Sequence, residues 1–149
     1  MKTGVQNFAG WVIAFIVIAF VGFGDSVYLT ASHYMGGVPT CAGVEGCDVV
    51  AMSEYAAWGG IPTALFGAIY YVAMLVAGFL WIDLRNDTIL KLLPIVTIPA
   101  FLFSIWLVYV MGSVLNAWCL FCLISAGTST LLMIISLYFY KQLSAKQPA

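Results

Sequence analysis

Charge is what this sequence has least of. Five Lys and Arg and six Asp and Glu make up 7% of the 149 residues, against about 25% in an ordinary water-soluble domain. So few charges exclude a solvated surface over most of the chain. The five basic residues and a net charge of -1 also exclude a nucleic-acid partner. A single histidine, His33, leaves little for an imidazole metal site. No signal-peptide pattern stands out either. The first apolar run, from Phe8 to about Val27, is too long for a leader's core and has no small-residue cleavage site followed by a polar mature chain.

Apolar residues fill the space, at 64% of the chain. A helix that crosses the hydrocarbon needs about 20 mostly apolar residues in a row. Four runs meet this, at about 8–28, 61–82, 88–111 and 117–140. Unpaired backbone groups are too costly in lipid for anything but helix there. The expected fold is therefore an all-α membrane protein with four spans in one domain, 1–149. Pro94 and Pro99 are expected to bend the third span. Lys2, Arg85, Lys91, Lys141 and Lys146 all fall on one face of such a bundle. The connection 32–60 holds Glu45, Asp48 and Glu54 but no Lys or Arg. The positive-inside rule then puts both termini in the cytoplasm and residues 32–60 outside. Within that loop, "DVVAMSEYAAW" reads as a short amphipathic helix along the membrane surface.

All four cysteines segregate to the outer side under this orientation. Cys41 and Cys47 lie in the loop, and Cys119 and Cys122 open the fourth span. That is the side where disulfides persist. Cys119 and Cys122 are three apart, close enough on a helix to bridge. A helix start favours a thiolate. At the lipid boundary this pair can reach a dissolved two-electron acceptor, most plausibly a quinone, with Trp118 and Phe121 available to stack on its ring. Gly43 and Gly46 allow Cys41 and Cys47 to close a small ring. The arrangement suggests a relay from a soluble dithiol to the loop pair, then to the inner pair, then to a quinone.

Simpler readings stand beside this one. Two structural disulfides in a non-enzymatic scaffold would use the same cysteines. A four-cysteine zinc site fits poorly, because the 41/47 spacing is too wide. Trp118 and Phe121 also suit an aromatic belt. Asn116 stands as a helix N-cap that could reach a quinone carbonyl. Asp25, near the outer end of the first span, reads first as bonded to loop backbone, and alternatively as a proton carrier. His33 reads as an exposed interfacial residue just past the same helix end, and alternatively as a proton acceptor for a thiol.

The segments "YLTASHY", "CAGVEGCDVVAMSEYA", "GIPTALFGAIYY" and "WCLFC" occur in an order that resembles the vitamin K epoxide reductase family, specifically its prokaryotic disulfide-forming members, over about residues 10–140. The resemblance implies a four-helix bundle around a quinone pocket, capped by the outer loop and its short helix, in a prokaryotic cell (inner) membrane. It implies Cys122 as the thiol next to the quinone, Cys119 as the partner of Cys47, and Cys41 as the entry point for electrons. Ser53 matches the family's loop serine or threonine, which implies a role in supporting electron transfer between the pairs; a helix cap or local backbone bond is the alternative. Many prokaryotic members carry a fused thioredoxin-like domain, whereas this sequence stops at Ala149, so the implied donor is a separate thioredoxin-like extracytoplasmic protein. The acceptor implied is ubiquinone, menaquinone or a vitamin K type quinone, with no metal. Vitamin K epoxide reduction proper is the alternative. The tyrosine of the animal members would fall near Ser129, where the fourth span has none.

Overall fold

The computed structural model describes residues 2–37, 39 and 46–145, with side chains from Phe8 onward. Helix α1 runs Lys2–Tyr34, α3 Thr63–Leu84, α4 Asp87–Val110 and α5 Leu120–Ala145; the short helix α2, Cys47–Ala51, lies in the loop between α1 and α3. All four long helices are long and apolar enough to cross a membrane, the third with its π-helical extension Met111–Leu115. The fold is that of an all-α, multi-pass membrane protein.

Helix α1 outruns the expected span 8–28 at both ends. At 33 residues it is about 50 Å long, well over the ~30 Å of hydrocarbon. Apolarity marks where lipid begins, but nothing in "YLTASHY" breaks a helix. The chain turns only at Gly36, whose φ of +66° suits glycine. His33 accordingly sits in the last turn of α1 rather than beyond it. Pro94 and Pro99 both lie inside α4, which continues through them.

The loop is less helical than its pattern suggests. Only Cys47–Ala51 forms α2. Beyond it, Ala57–Trp58 and Ile61–Pro62 pair as two short antiparallel strands, β1 and β2, around Gly59 and Gly60, both at positive φ. Thr63 then starts α3 with its N–H on the Ala56 carbonyl (2.8 Å) and its hydroxyl on the Tyr55 carbonyl (2.9 Å). Two consecutive glycines favour a tight reversal over a longer surface helix.

Close helix approach and hydroxyl bridges hold the bundle, as expected where lipid is as apolar as the core. A side chain at Gly22 would run into the Tyr71 ring, and one at Gly78 would lie 2.7 Å from Ile16, so α1 and α3 meet through glycine. Tyr71 is buried, and its hydroxyl bonds the Ser125 carbonyl (2.9 Å) and the Thr128 hydroxyl (2.7 Å), joining α3 to α5. The Thr97 and Ser136 hydroxyls join α4 to α5 at 2.7 Å. Phe8 packs on Trp81 and Phe139. That contact gathers the start of α1, the α3–α4 turn and the end of α5 at one end of the bundle, opposite α2. Asn86 caps α4 by accepting the Thr88 N–H at 3.0 Å.

Candidate functional site: a dithiol against a lipid-depth cavity

Helix α5 begins at Leu120, three residues later than its apolar run. Met111–Leu115 widens into a π-helical turn, closed by Asn116 in the left-handed region at φ 47°. Asparagine tolerates that conformation. Asn116 therefore ends the preceding helix instead of capping α5, which corrects the N-cap expectation. The cap of α5 is a sulfur. The Cys122 backbone N–H donates to Cys119 Sγ at 3.3 Å, and the Leu123 N–H donates to the Cys119 carbonyl at 3.1 Å. Cys119 thus occupies the place usually taken by serine, threonine or aspartate.

Both Cys119 and Cys122 are free thiols. The Cys122 thiol donates to Cys119, and with the backbone N–H groups of Cys122 and Phe121 it brings the Cys119 thiol down to about 7, against the opposing effect of burial. Cys119 is the member of the pair that ionises first.

Cys47 opens α2 and is disulfide-bonded; Cys41 lies outside the described residues. Gly46 explains how the loop reaches α5. Its φ is +124°, and a Cβ there would lie 3.1 Å from the Trp118 nitrogen, 3.2 Å from Ala117 Cβ and 3.3 Å from the Trp118 oxygen. Backbone thus touches backbone one residue before each cysteine. As a result Cys47, Met111 and Cys119 form one buried cluster, with Cys122 packed against it.

Below that cluster lies a cavity of about 750 Å³, lined mainly by apolar side chains and reached by both Cys119 and Cys122. Its size is in the range of small-molecule sites, and apolar walls with a few hydroxyls suit a flat, lipid-soluble ring. Along α5, Cys122, Ser125, Ala126 and Ser129 form the wall, faced by Tyr70 and Tyr71 of α3. Sequence reading missed Tyr70, Tyr71 and Ser125. The available signal was the 122, 125, 129 spacing, which keeps polar groups on one helical face.

The remaining expected residues are distributed unevenly. Ser53 lines the cavity, but its hydroxyl donates to the Val50 carbonyl at 2.7 Å, closing the turn after α2. Trp118 is 48% exposed and lies against Gly112, and Phe121 packs tilted on Tyr28 with centroids 4.9 Å apart. Neither they nor Asn116 are part of the cavity wall. Both carboxyl oxygens of Asp25 are buried with no hydrogen-bond partner among the described residues, so no bond to the described part of the loop backbone is made. No cluster of metal-ligating side chains occurs among the described residues.

A membrane bundle that holds a reactive dithiol between a second cysteine and a lipid-depth cavity is the architecture of a membrane thiol oxidoreductase. The sequence pattern of the Vitamin K epoxide reductase family matches residues 13–137, and the chain belongs to that family. Its members are membrane oxidoreductases that work on thiols and quinones. No curated protein matches the chain.

Proposed function

We propose that the chain forms disulfides outside the cytoplasm, taking electrons from a thioredoxin-like dithiol protein and delivering them to a membrane quinone. The observation that carries this reading is the burial of Cys47 and Cys119 in one cluster beside a cavity that Cys119 and Cys122 both line. Arg85, Lys91 and Lys141 lie at the bundle end opposite that cluster, which through the positive-inside rule supports an orientation with the cysteines outside and both termini in the cytoplasm.

Electrons enter at Cys41, whose thiolate is regenerated as the donor protein's dithiol becomes a disulfide. The Cys47 thiolate then attacks Cys119 of an oxidised Cys119–Cys122 bond, forming a mixed disulfide and releasing Cys122 as thiolate. Attack by Cys41 on Cys47 closes the loop disulfide and frees Cys119. The bonding described above, with Cys47 in a disulfide and Cys119 and Cys122 free, matches the point at which both electrons sit on the inner pair. A quinone bound in the cavity supplies a two-electron, two-proton acceptor that diffuses in lipid. Cys122, on the cavity wall, faces it, and Cys119 closes the disulfide onto Cys122.

The test is Cys122→Ala in purified protein, with a reduced thioredoxin-like donor and a quinone acceptor. Quinone reduction should vanish, because without Cys122 the Cys119 thiol has no partner with which to close the inner disulfide. Full activity in this variant would defeat the relay. A scaffold with structural disulfides would reduce no quinone before mutation. With vitamin K epoxide as sole acceptor, turnover should be slower than with the quinone, since α5 carries Ser129 where the animal members have tyrosine.

A further inference from the structure

Two hydroxyls in the innermost part of the cavity have no role in the thiol relay. Ser129 is 3% exposed, and its Oγ has no hydrogen-bond partner among the described residues; the Tyr70 hydroxyl is likewise buried and unpartnered. Both line the cavity, one from α5 and one from α3. They face each other closely enough to interact but outside hydrogen-bonding geometry. Neighbouring hydroxyls differ sharply. Tyr71, Thr128 and Ser136 are all bonded to protein partners at 2.7–3.0 Å. Leaving one buried hydroxyl unbonded is unfavourable, and two at one spot call for an outside polar atom.

Their depth says which atom. Ser129 follows Cys122 by seven residues, which on a helix means the same face and about 10 Å further in. Tyr70 follows the first residue of α3 by seven and so sits at a similar level. A ring with two opposed carbonyls measures about 5 Å from oxygen to oxygen. A contact of about 3.5 Å to the Cys122 sulfur and a hydrogen bond of about 2.8 Å at the far end bring the total to about 11 Å. The ring fits between the thiol and the hydroxyl pair.

We propose that Tyr70 and Ser129 together seat the quinone carbonyl farthest from Cys122, so that the cavity selects acceptors whose two carbonyls are opposed across the ring. This rests on the quinone-reducing reading above. Either hydroxyl donates to the carbonyl oxygen. An acceptor with adjacent carbonyls that presents one of them to Cys122 leaves only a ring C–H edge at the seat.

The test uses the full chain in lipid nanodiscs, dithiothreitol as donor, and a 1,4-quinone compared with a 1,2-quinone. Tyr70→Phe and Ser129→Ala should each raise KM for the 1,4-quinone about 3- to 10-fold, the range of one neutral hydrogen bond. The value of kcat should change less than about twofold, and KM for the 1,2-quinone should stay put. Ser129→Thr, which restores a hydroxyl, should recover the loss. An unchanged KM for the 1,4-quinone in both variants overturns the seat while leaving quinone reduction intact. Equal losses for both quinones would mean general damage to the cavity and overturn it too. A wild-type protein that reduces neither quinone would overturn the functional reading itself, and the seat with it.

Discussion

Gly46→Ala is the sharpest perturbation of the proposed relay, because it acts on the approach of the two cysteine pairs and on neither pair directly. Two costs add. A Cβ at this position would stand 3.1–3.3 Å from the Trp118 nitrogen, the Trp118 oxygen and Ala117 Cβ. Two of these are backbone atoms on the short segment leading into α5, which can yield only by moving Cys119. The second cost is conformational. At φ +124° and ψ -6°, any residue with a side chain is strained by about 1–3 kcal/mol. Taking the close contacts as about 1 kcal/mol more, the docked loop loses about 2–4 kcal/mol. At 1.4 kcal/mol per factor of ten, that weakens docking roughly 30- to 700-fold.

Turnover should be measured in two ways on the same preparation. Driven by a thioredoxin-like donor, which enters through the loop pair, it should fall at least about tenfold even if part of the docking loss is absorbed by excess stability. Driven by a small dithiol that reaches Cys119 and Cys122 through the cavity, it should stay within about twofold. Gly10→Ala is the control, since a Cβ there meets nothing within 4 Å. Unchanged donor-driven turnover in Gly46→Ala would refute the argument that this glycine sets the distance between the pairs. An equal fall in both assays would place the damage in the cavity instead.

Two further outcomes follow from the same geometry. Because Cys119 titrates at about 7, the thiolate form grows as pH rises through neutrality, so its alkylation by iodoacetamide should climb to about pH 8 and then level off. Cys122→Ala removes the chief donor to that sulfur, and the profile should move toward the ordinary thiol value of about 8.5; no movement would mean that the backbone N–H groups alone set it. Tyr71→Phe, which deletes the hydroxyl bridge to Ser125 and Thr128, should cost about 1 kcal/mol in unfolding from detergent. Gly22→Ala should cost more, because the added carbon runs into the Tyr71 ring, which can move away only by giving up its hydroxyl bonds to Ser125 and Thr128.

The spans were legible because lipid imposes one rule on a long stretch, and their number and order follow from runs of apolar residues. Their ends were not, since apolarity reports the hydrocarbon boundary while helices stop for local reasons. In α1 the stop is Gly36, beyond the polar Ser32 and His33. Before α5 it is the π-helical turn and the left-handed Asn116, neither of which leaves a hydrophobic trace. The cysteines were legible as reactive types at telling positions, but which sulfur carries the charge depends on a cap that three residues of misplaced helix would erase. Trp118 and Phe121 illustrate the opposite error. Adjacency to the cysteines in sequence suggested a ring slot, yet successive residues around a helix start point in different directions. The cavity draws instead on Tyr70 and Ser129, from parts of the chain 59 positions apart, and only packing α3 against α5 brings these together.

The late start of α5 also orders the two thiols chemically. Had the helix begun at Ala117, both sulfurs would sit in its first turns, each near the free N–H groups, with no reason for charge to prefer one. With Cys119 as the cap, its sulfur alone receives the Cys122 N–H, and it is also the sulfur that shares a buried cluster with Cys47. Cys122 stands inside the helix on the cavity wall. In the proposed relay the thiolate is therefore held at the exchange position, and the other thiol at the cavity-facing one. That asymmetry arises from the donors gathered on Cys119, the Cys122 thiol first and the backbone N–H groups after it, and in the proposed relay it lets one dithiol serve a protein disulfide and a quinone without the two reactions competing for the same sulfur.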